Sequence, residues 1–199
     1  LSLSDDGLAW SNGLRYDIHN LSGSRSVSYG DVGEVADADN NEQYLEYRTE
    51  GSKTWTLDSG LTVKPYAGMK LRHTTDGGYQ EHGGGDFNLK MSSSTETAVD
   101  SIVGLKLDYA GKNGWSANAM LEGGPNVSYA KSARTASLQG AAGQDFNVDD
   151  GQQGGGVNSS AVVGVKYSAG DTQFAANAYQ WKEDTVSDKG FMLNLKRSF

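Results

Sequence analysis

Eight stretches of this 199-residue chain alternate apolar and polar residues one for one. That period turns every second side chain to the same face of an extended strand, which constrains the fold more than any other feature of the sequence. Over the cleanest stretch, Leu61, Val63, Pro65, Ala67, Met69 and Leu71 face one way. Thr62, Lys64, Tyr66, Gly68, Lys70 and Arg72 face the other. Val103, Leu105, Leu107 and Tyr109 oppose Ile102, Gly104, Lys106 and Asp108 in the same manner, and Ala161, Val163, Val165 and Tyr167 oppose Val162, Gly164, Lys166 and Ser168. Leu8, Trp10, Leu14, Tyr16 and Ile18 oppose Ser11, Gly13, Arg15, Asp17 and His19. Leu45, Tyr47, Trp55 and Leu57 oppose Glu46, Arg48, Glu50 and Thr56, while Trp115, Ala117, Ala119 and Leu121 oppose Ser116, Asn118 and Glu122. From Phe174 to Trp181 both faces carry apolar groups, so the pattern leaves that strand's orientation open. In the last stretch Phe191, Leu193, Leu195 and Phe199 share a face opposite Met192, Asn194, Lys196 and Ser198.

Connections between these stretches differ in length in a regular way. Asp58–Gly60, Gly111–Gly114 and Ala169–Asp171 are short and carry tight-turn residues. The others are expected to be long loops, roughly over 20–42, 76–86, 131–157 and 183–189. Short and long then alternate, which sorts all short turns and both chain ends to one rim. Outer-membrane barrels sort their loops this way, with short turns toward the periplasm and long loops outside.

No apolar run approaches the roughly 20 residues of a membrane helix. The 36% apolar content suits a strand-crossing protein, because a membrane strand needs only about 9–11 alternating residues. Twenty-seven glycines against two prolines fit a β-protein with many turns. A net charge of −8 without a basic cluster argues against nucleic acid as a partner. With no cysteine there is neither a disulfide nor a thiolate site. No signal-peptide pattern opens the sequence, so an exported protein is expected here in mature form or as a fragment.

The polar face carries Arg15, Asp17, Glu46, Arg48, Glu50, Lys64, Lys70, Arg72, Lys106, Asp108, Glu122, Lys166 and Lys196, with both signs reaching mid-strand. On a soluble sandwich such a face is solvated. Inside a membrane barrel it becomes a lumen in which each ion needs a counter-ion or water. Mid-strand glycines on that face, Gly13, Gly68, Gly104 and Gly164, would relieve crowding inside a curved sheet. Trp10, Trp55, Trp115, Trp181, Tyr16, Tyr109 and Tyr167 lie toward strand ends and are expected to form interfacial girdles.

Catalytic and metal motifs are weak. Asp145, Asn147 and Asp149 alternate like the start of a calcium loop, but Asp150 and Gly156 stand where that pattern wants glycine and a bidentate glutamate. A solvated loop is the better reading, and no cofactor or metal is expected. His19, His73 and His82 accompany no nucleophile elbow or zinc spacing, so a hydrolase or acyltransferase is a minor alternative.

From about residue 42 to Phe199 the chain resembles the C-terminal half to two-thirds of an autotransporter translocator domain. The resemblance is carried by Leu61–Arg72 followed by Gly77-Gly78-Tyr79, by Asp100–Tyr109, by Leu121-Glu-Gly-Gly-Pro-Asn-Val-Ser-Tyr129, and by Asp188–Phe199. Arg197 departs from it, standing where an apolar residue is more usual. The resemblance implies an all-β fold, an antiparallel transmembrane β-barrel, with residues 1–199 as one translocator domain. About eight strands are present, either as part of a twelve-stranded barrel or as an eight-stranded ring. It further implies a Gram-negative outer-membrane location with long loops at the cell surface, and no enzymatic turnover. The implied partners are outer-membrane lipid and lipopolysaccharide, the barrel-assembly machinery and the chain's own N-terminal passenger. Phe191, Leu193, Leu195 and Phe199 match the assembly signal that the machinery recognises. An adhesive or resistance function through external loops is the alternative for a stand-alone barrel, and a soluble sandwich or lectin is a further one.

Overall fold

The computed structural model describes residues 2–5, 7–149, 156–183 and 186–197. Phe199, the terminal residue of the expected assembly signal, lies outside the described residues. In chain order the strands are β1 (Ser2–Asp5), β2 (Leu8–Tyr29), β3 (Val32–Lys53), β4 (Trp55–Thr56), β5 (Leu61–Asp76), β6 (Tyr79–Gln80) and β7 (Leu89–Met91). They continue as β8 (Ser94–Ala110), β9 (Trp115–Lys131), β10 (Arg134–Leu138), β11 (Phe146–Val148), β12 (Val157–Ala169), β13 (Thr172–Glu183) and β14 (Val186–Arg197).

The eight long strands pair antiparallel in the order β2-β3-β5-β8-β9-β12-β13-β14, with β1 beside the first residues of β2. Each of the eight alternating stretches is one of these strands. The register keeps the two faces apart: Gly13, Arg48 and Lys70 stand opposite one another in a row, as do Tyr66, Gly104, Glu122, Ser160 and Trp181. The sheet curls toward the face bearing the charges. Among the described residues β14 bonds on one side only, to β13, and β2 beyond Ser11 bonds only to β3, so the curled sheet is a half-barrel with two open edges.

Short turns fall where expected. Gly170-Asp171 closes β12–β13 with Gly170 at φ 53°, the positive φ that a two-residue II′ hairpin demands of its first central position. The long connections differ from expectation in two places. Residues 20–42 are not a loop: β2 and β3 stay paired from Asn20↔Asn41 to Tyr29↔Val32 and close on Gly30-Asp31. At 22 residues and ~3.3 Å per residue, each strand is about 70 Å long, well beyond a membrane crossing. Likewise, 183–189 is not a long loop, because Glu183 already pairs with Val186 and Trp181 with Asp188. One further boundary moves. The Leu45–Leu57 stretch breaks at Thr54: its N–H continues the β2–β3 register by donating to Gly7 O, but pairing with β5 lapses beside Pro65, which has no N–H to give, and resumes at Trp55↔Val63.

In the two remaining connections, residues 77–93 and 132–149 build structure of their own. A second, four-stranded sheet runs β11-β10-β7-β6. Its chain runs beside β3 where β5 has ended: Gly77 N–H donates to Asn41 O, and Asp37 and His82 exchange backbone hydrogen bonds at 2.8 and 2.9 Å. The edge of β3 is thereby covered.

Few apolar side chains are buried among the described residues; Ala36, Tyr66, Ala98, Ile102 and Ala136 are the fully enclosed ones. Leu14, Val103, Leu193 and Leu195 are 72, 64, 62 and 75% exposed on the convex face. A water-soluble protein would hide such a belt. At the short-turn end of this face Trp115 and Tyr167 rings meet with centroids 4.7 Å apart, and Trp10, Trp55 and Tyr109 are exposed on other strands of the same face. Trp181 does not join them. It pairs with Ser160 on the concave face, so the open orientation of β13 resolves with Gln173, Ala175, Asn177, Tyr179 and Trp181 inward.

Candidate functional site

The concave face is the most constrained part of the molecule, and its geometry starts from a glycine. Gly104 on β8 lies between Tyr66 of β5 and Glu122 of β9 in one cross-strand row. A Cβ at Gly104 would fall 2.1 Å from Tyr66 Cζ, so only glycine lets the ring lie across β8. The phenol then donates to Glu122 Oε2 at 2.8 Å. Arg48 of β3 reaches the same carboxylate with a two-pronged contact, Nη1 donating to Oε1 at 3.1 Å and Nη2 to Oε2. It also donates to Glu50 through Nε at 3.0 Å and Nη2 at 2.8 Å. Two strands separate β3 from β9, so this contact is possible only because the sheet curls. Lys106 adds its ammonium 4.8 Å from the Tyr66 ring centre and 4.0 Å from Glu50.

A second cluster lies nearer the long-loop end. Asp100 is 1% exposed, the largest fully buried side chain of the described chain. Arg72 donates to it through Nε at 2.8 Å and Nη2 at 3.4 Å, while Asn126 and Asn158 donate Nδ2 hydrogens to Oδ1 at 2.9 and 3.0 Å. A β-bulge makes this possible: the register of β8 and β9 shifts between Val99 and Asp100, bringing Asn126 opposite Asp100. Arg72 Nη1 and Lys70 Nζ lie 2.8 and 3.1 Å from Glu183 on β13, four strands away. A buried carboxylate persists only with its lone pairs and charge satisfied, and here every oxygen has a donor.

The expected lumen charges all fall on this face. Arg48, Lys70, Arg72, Lys106 and Glu122 meet in the two clusters. Glu46 stands opposite Arg15 and Arg72 and accepts a 2.7 Å hydrogen bond from Tyr44. Arg15 and Asp17 pair with each other at 2.6 Å. Lys64, Asp108 and Lys166 stand toward the short turns, outside both clusters; Lys64 is opposite Lys106, Asp108 opposite Asn118, and Lys166 opposite Ser116. Sequence reading placed Tyr66 on this face without giving it a role, and missed Asp100, Glu183, Asn126 and Asn158. Asp100 continues the even-numbered face of Ile102 and Gly104, and that parity was the available signal. Glu183 was read as the start of a loop, which removed it from consideration.

Outside the sheet's crossing segments, Arg25 grips Glu81 with Nε and Nη2 at 3.0 and 2.6 Å and holds the second sheet against the β2–β3 hairpin. That hydrogen-bonded guanidinium, aided by Leu89 N–H, lowers the Glu81 carboxyl below its ordinary range, and Glu81 raises Arg25 in return. The three histidines do not converge. His73 lies on β5, bonded to Thr97 Oγ1 at 2.8 Å; His19 stands opposite Glu42 on β2–β3; His82 lies in the 77–93 connection beside β3. On β14, Phe191, Leu193 and Leu195 line the convex face, 78, 62 and 75% exposed.

Comparison with known proteins gives two findings. The family model described as the autotransporter beta-domain matches residues 1–180. A relative from Salmonella typhimurium (strain LT2), named as the surface-exposed virulence protein BigA, is 68% identical over 196 residues. The match covers 98% of this chain and 10% of that protein, so the chain spans about a tenth of its relative's length.

Proposed function

The chain belongs to the autotransporter β-domain family, and on that footing we propose that residues 1–199 are the barrel unit through which a longer polypeptide is exported and held at the cell surface. The family is one of outer-membrane translocator barrels and not of catalysts, which accords with an interior whose carboxylates are occupied by guanidinium, amide and phenol donors. The observation that carries the reading is the division of the sheet. Aliphatic and aromatic side chains cover the convex face, while the concave face is laced by ion pairs that reach across two or three intervening strands. A hydrated polypeptide can slide past such a surface because its charges are already paired and offer no deep apolar trap.

Hydrocarbon tolerates no unpaired strand edge, so the free sides of β2 and β14 call for further strands from the same polypeptide. The open edges favour a larger barrel over closure of these strands alone. β14 has one bonded side and an aligned apolar face of Phe191, Leu193 and Leu195. In this reading it is the strand presented to the assembly machinery, with Phe199 completing the signal. The second sheet and the long β2–β3 hairpin stand outside the cell, near lipopolysaccharide and the emerging passenger.

The test is protease shaving of intact cells producing the full-length protein. Wild type is expected to lose its N-terminal region to external protease, and the double change Phe191→Asp, Leu193→Asp to leave the protein periplasmic. Retention of the wild-type N-terminal region inside the cell, with the barrel correctly inserted, would overturn the export role.

A further inference from the structure

Near the short-turn end of β2 and β3 a groove of about 930 Å³ crosses onto β5 and β8. Trp10, Gly51, Ala67 and Val103 stand opposite one another in a cross-strand row. The two central residues are small, while Trp10 and Val103 rise on either side, 51 and 64% exposed. Tyr66 and Ser52, which also border the groove, are turned to the concave face and buried, so the open walls are the outward side chains. Trp10 leans over Gly51, where a Cβ would come within 3.2 Å of the indole ring.

The groove has a direction. Its start, at Leu8 and Lys53, is where β2 begins and β3 ends, at the short-turn rim. Its other end, at Val103, is mid-strand on β8. The start carries the one charge among the lining residues: Lys53 is exposed, with its ammonium 5.6 Å from the Trp55 ring centre, which keeps the cation at the level of the aromatic side chains. A cation at the interface and an apolar trough running toward the membrane centre match a phosphate headgroup with an acyl chain beneath it.

We propose that this groove seats one anionic glycerophospholipid of the leaflet at the short-turn rim, its phosphate on Lys53 and one acyl chain lying over Gly51 and Ala67 between Trp10 and Val103. The inference rests on the reading that the convex face meets lipid. The seat would fix the height of this part of the wall in the bilayer, since Lys53 is held at the level of the phosphates.

Photolabelling tests the seat. Full-length protein is reconstituted in phosphatidylethanolamine vesicles containing phosphatidylglycerol, a trace of which carries a diazirine midway along one acyl chain, and labelled peptides are mapped by mass spectrometry. Labelling around Trp10, Ala67 and Val103 is expected to exceed that around Val163 and Val165, an ungrooved patch of the same face. Lys53→Gln, at an exposed rim position that leaves the fold intact, should lower groove labelling about fivefold, the factor expected for one lysine near an anionic surface. Gly51→Leu, which fills the trough, should bring it down to the level of the Val163–Val165 patch. Equal wild-type labelling of the two patches, or groove labelling unchanged in both variants, would overturn the proposal. So would recovery of the groove residues cross-linked mainly to another polypeptide, which would make the trough a protein-docking surface. Absence of label at both patches would instead sink the lipid-facing reading on which the proposal rests.

Discussion

Arg72–Asp100 and Arg25–Glu81 are the same chemical pair in two settings. Both are guanidinium–carboxylate contacts with two donating nitrogens. In the first, the side chains are 11 and 2% exposed, and two asparagines complete the carboxylate's shell. In the second, Glu81 is enclosed but Arg25 is 45% exposed and stands outside the membrane-crossing part of the sheet. The contrast shows what each pair does. The interior pair is obligate on the side of the carboxylate, because Asp100 without Arg72 would be a buried charge held by asparagine amides alone. The second pair is a clasp between a hairpin and a small sheet, whose arginine water can solvate when the contact opens.

The sharpest way to break this contrast is Asp100→Ala. It removes the acceptor shared by Arg72 and two asparagine amides in an enclosed site, while Arg72 keeps Glu183, so a loss of about 3 kcal/mol in barrel stability is expected, the lower end for breaking a buried pair. Urea unfolding of the full-length protein in detergent micelles, followed by heat-dependent gel mobility, reads it. A cost below about 1 kcal/mol would mean that water fills the site and the two settings do not differ. Gly104→Leu comes next. Its side chain would occupy the place of the Tyr66 ring, for an overpacking cost of about 1–3 kcal/mol, and Tyr66→Ala in the same protein should recover part of it.

Glu81→Gln should cost less, about 1 kcal/mol, and only locally: protease sensitivity should rise within 77–93 and 132–149 while the barrel's unfolding midpoint stays put. Acid sharpens the same point. The folded-state carboxyl of Glu81 is lowered by Arg25, so its contribution is fully present above the ordinary carboxylate value of roughly 4.3 and fades as pH falls through the lowered one. Protection of the external sheet should therefore be equal at neutral and mildly acidic pH and decline only in strong acid, and Glu81→Gln should remove that part of the decline. Lys64→Gln should change stability least, within about 0.5 kcal/mol, since Lys64 stands outside both clusters beside the like charge of Lys106.

Much of the wall was legible because lipid imposes period two. Wherever a strand crosses the membrane, as from Leu61 to Leu71 or Ala161 to Tyr167, one face must be apolar, and the sequence records it. Above the membrane that demand ends. Ser22, Ser24, Ser26, Asp37, Asp39 and Asn40 belong to paired strands, yet polar residues on both faces look like a loop. Trp181 was misplaced for the opposite reason: β13 is apolar on both faces, and only pairing with Ser160 settles its direction. The contacts that tie the interior clusters across strands that are not neighbours join residues from 56 to 113 positions apart, and these partners follow from curvature that alternation does not encode. The charged face could be read from the chain; who binds whom on it could not.

Site-directed spin labelling of the full-length protein in membranes probes the division of faces itself. Labels at Val165 and Leu193 should collide readily with oxygen and be shielded from a water-soluble nickel complex, whereas labels at the adjacent positions Lys166 and Asn194 should show the reverse. If Val165 and Leu193 are reached by nickel while Lys166 and Asn194 sit in hydrocarbon, the sheet faces the other way and the translocator reading fails with it.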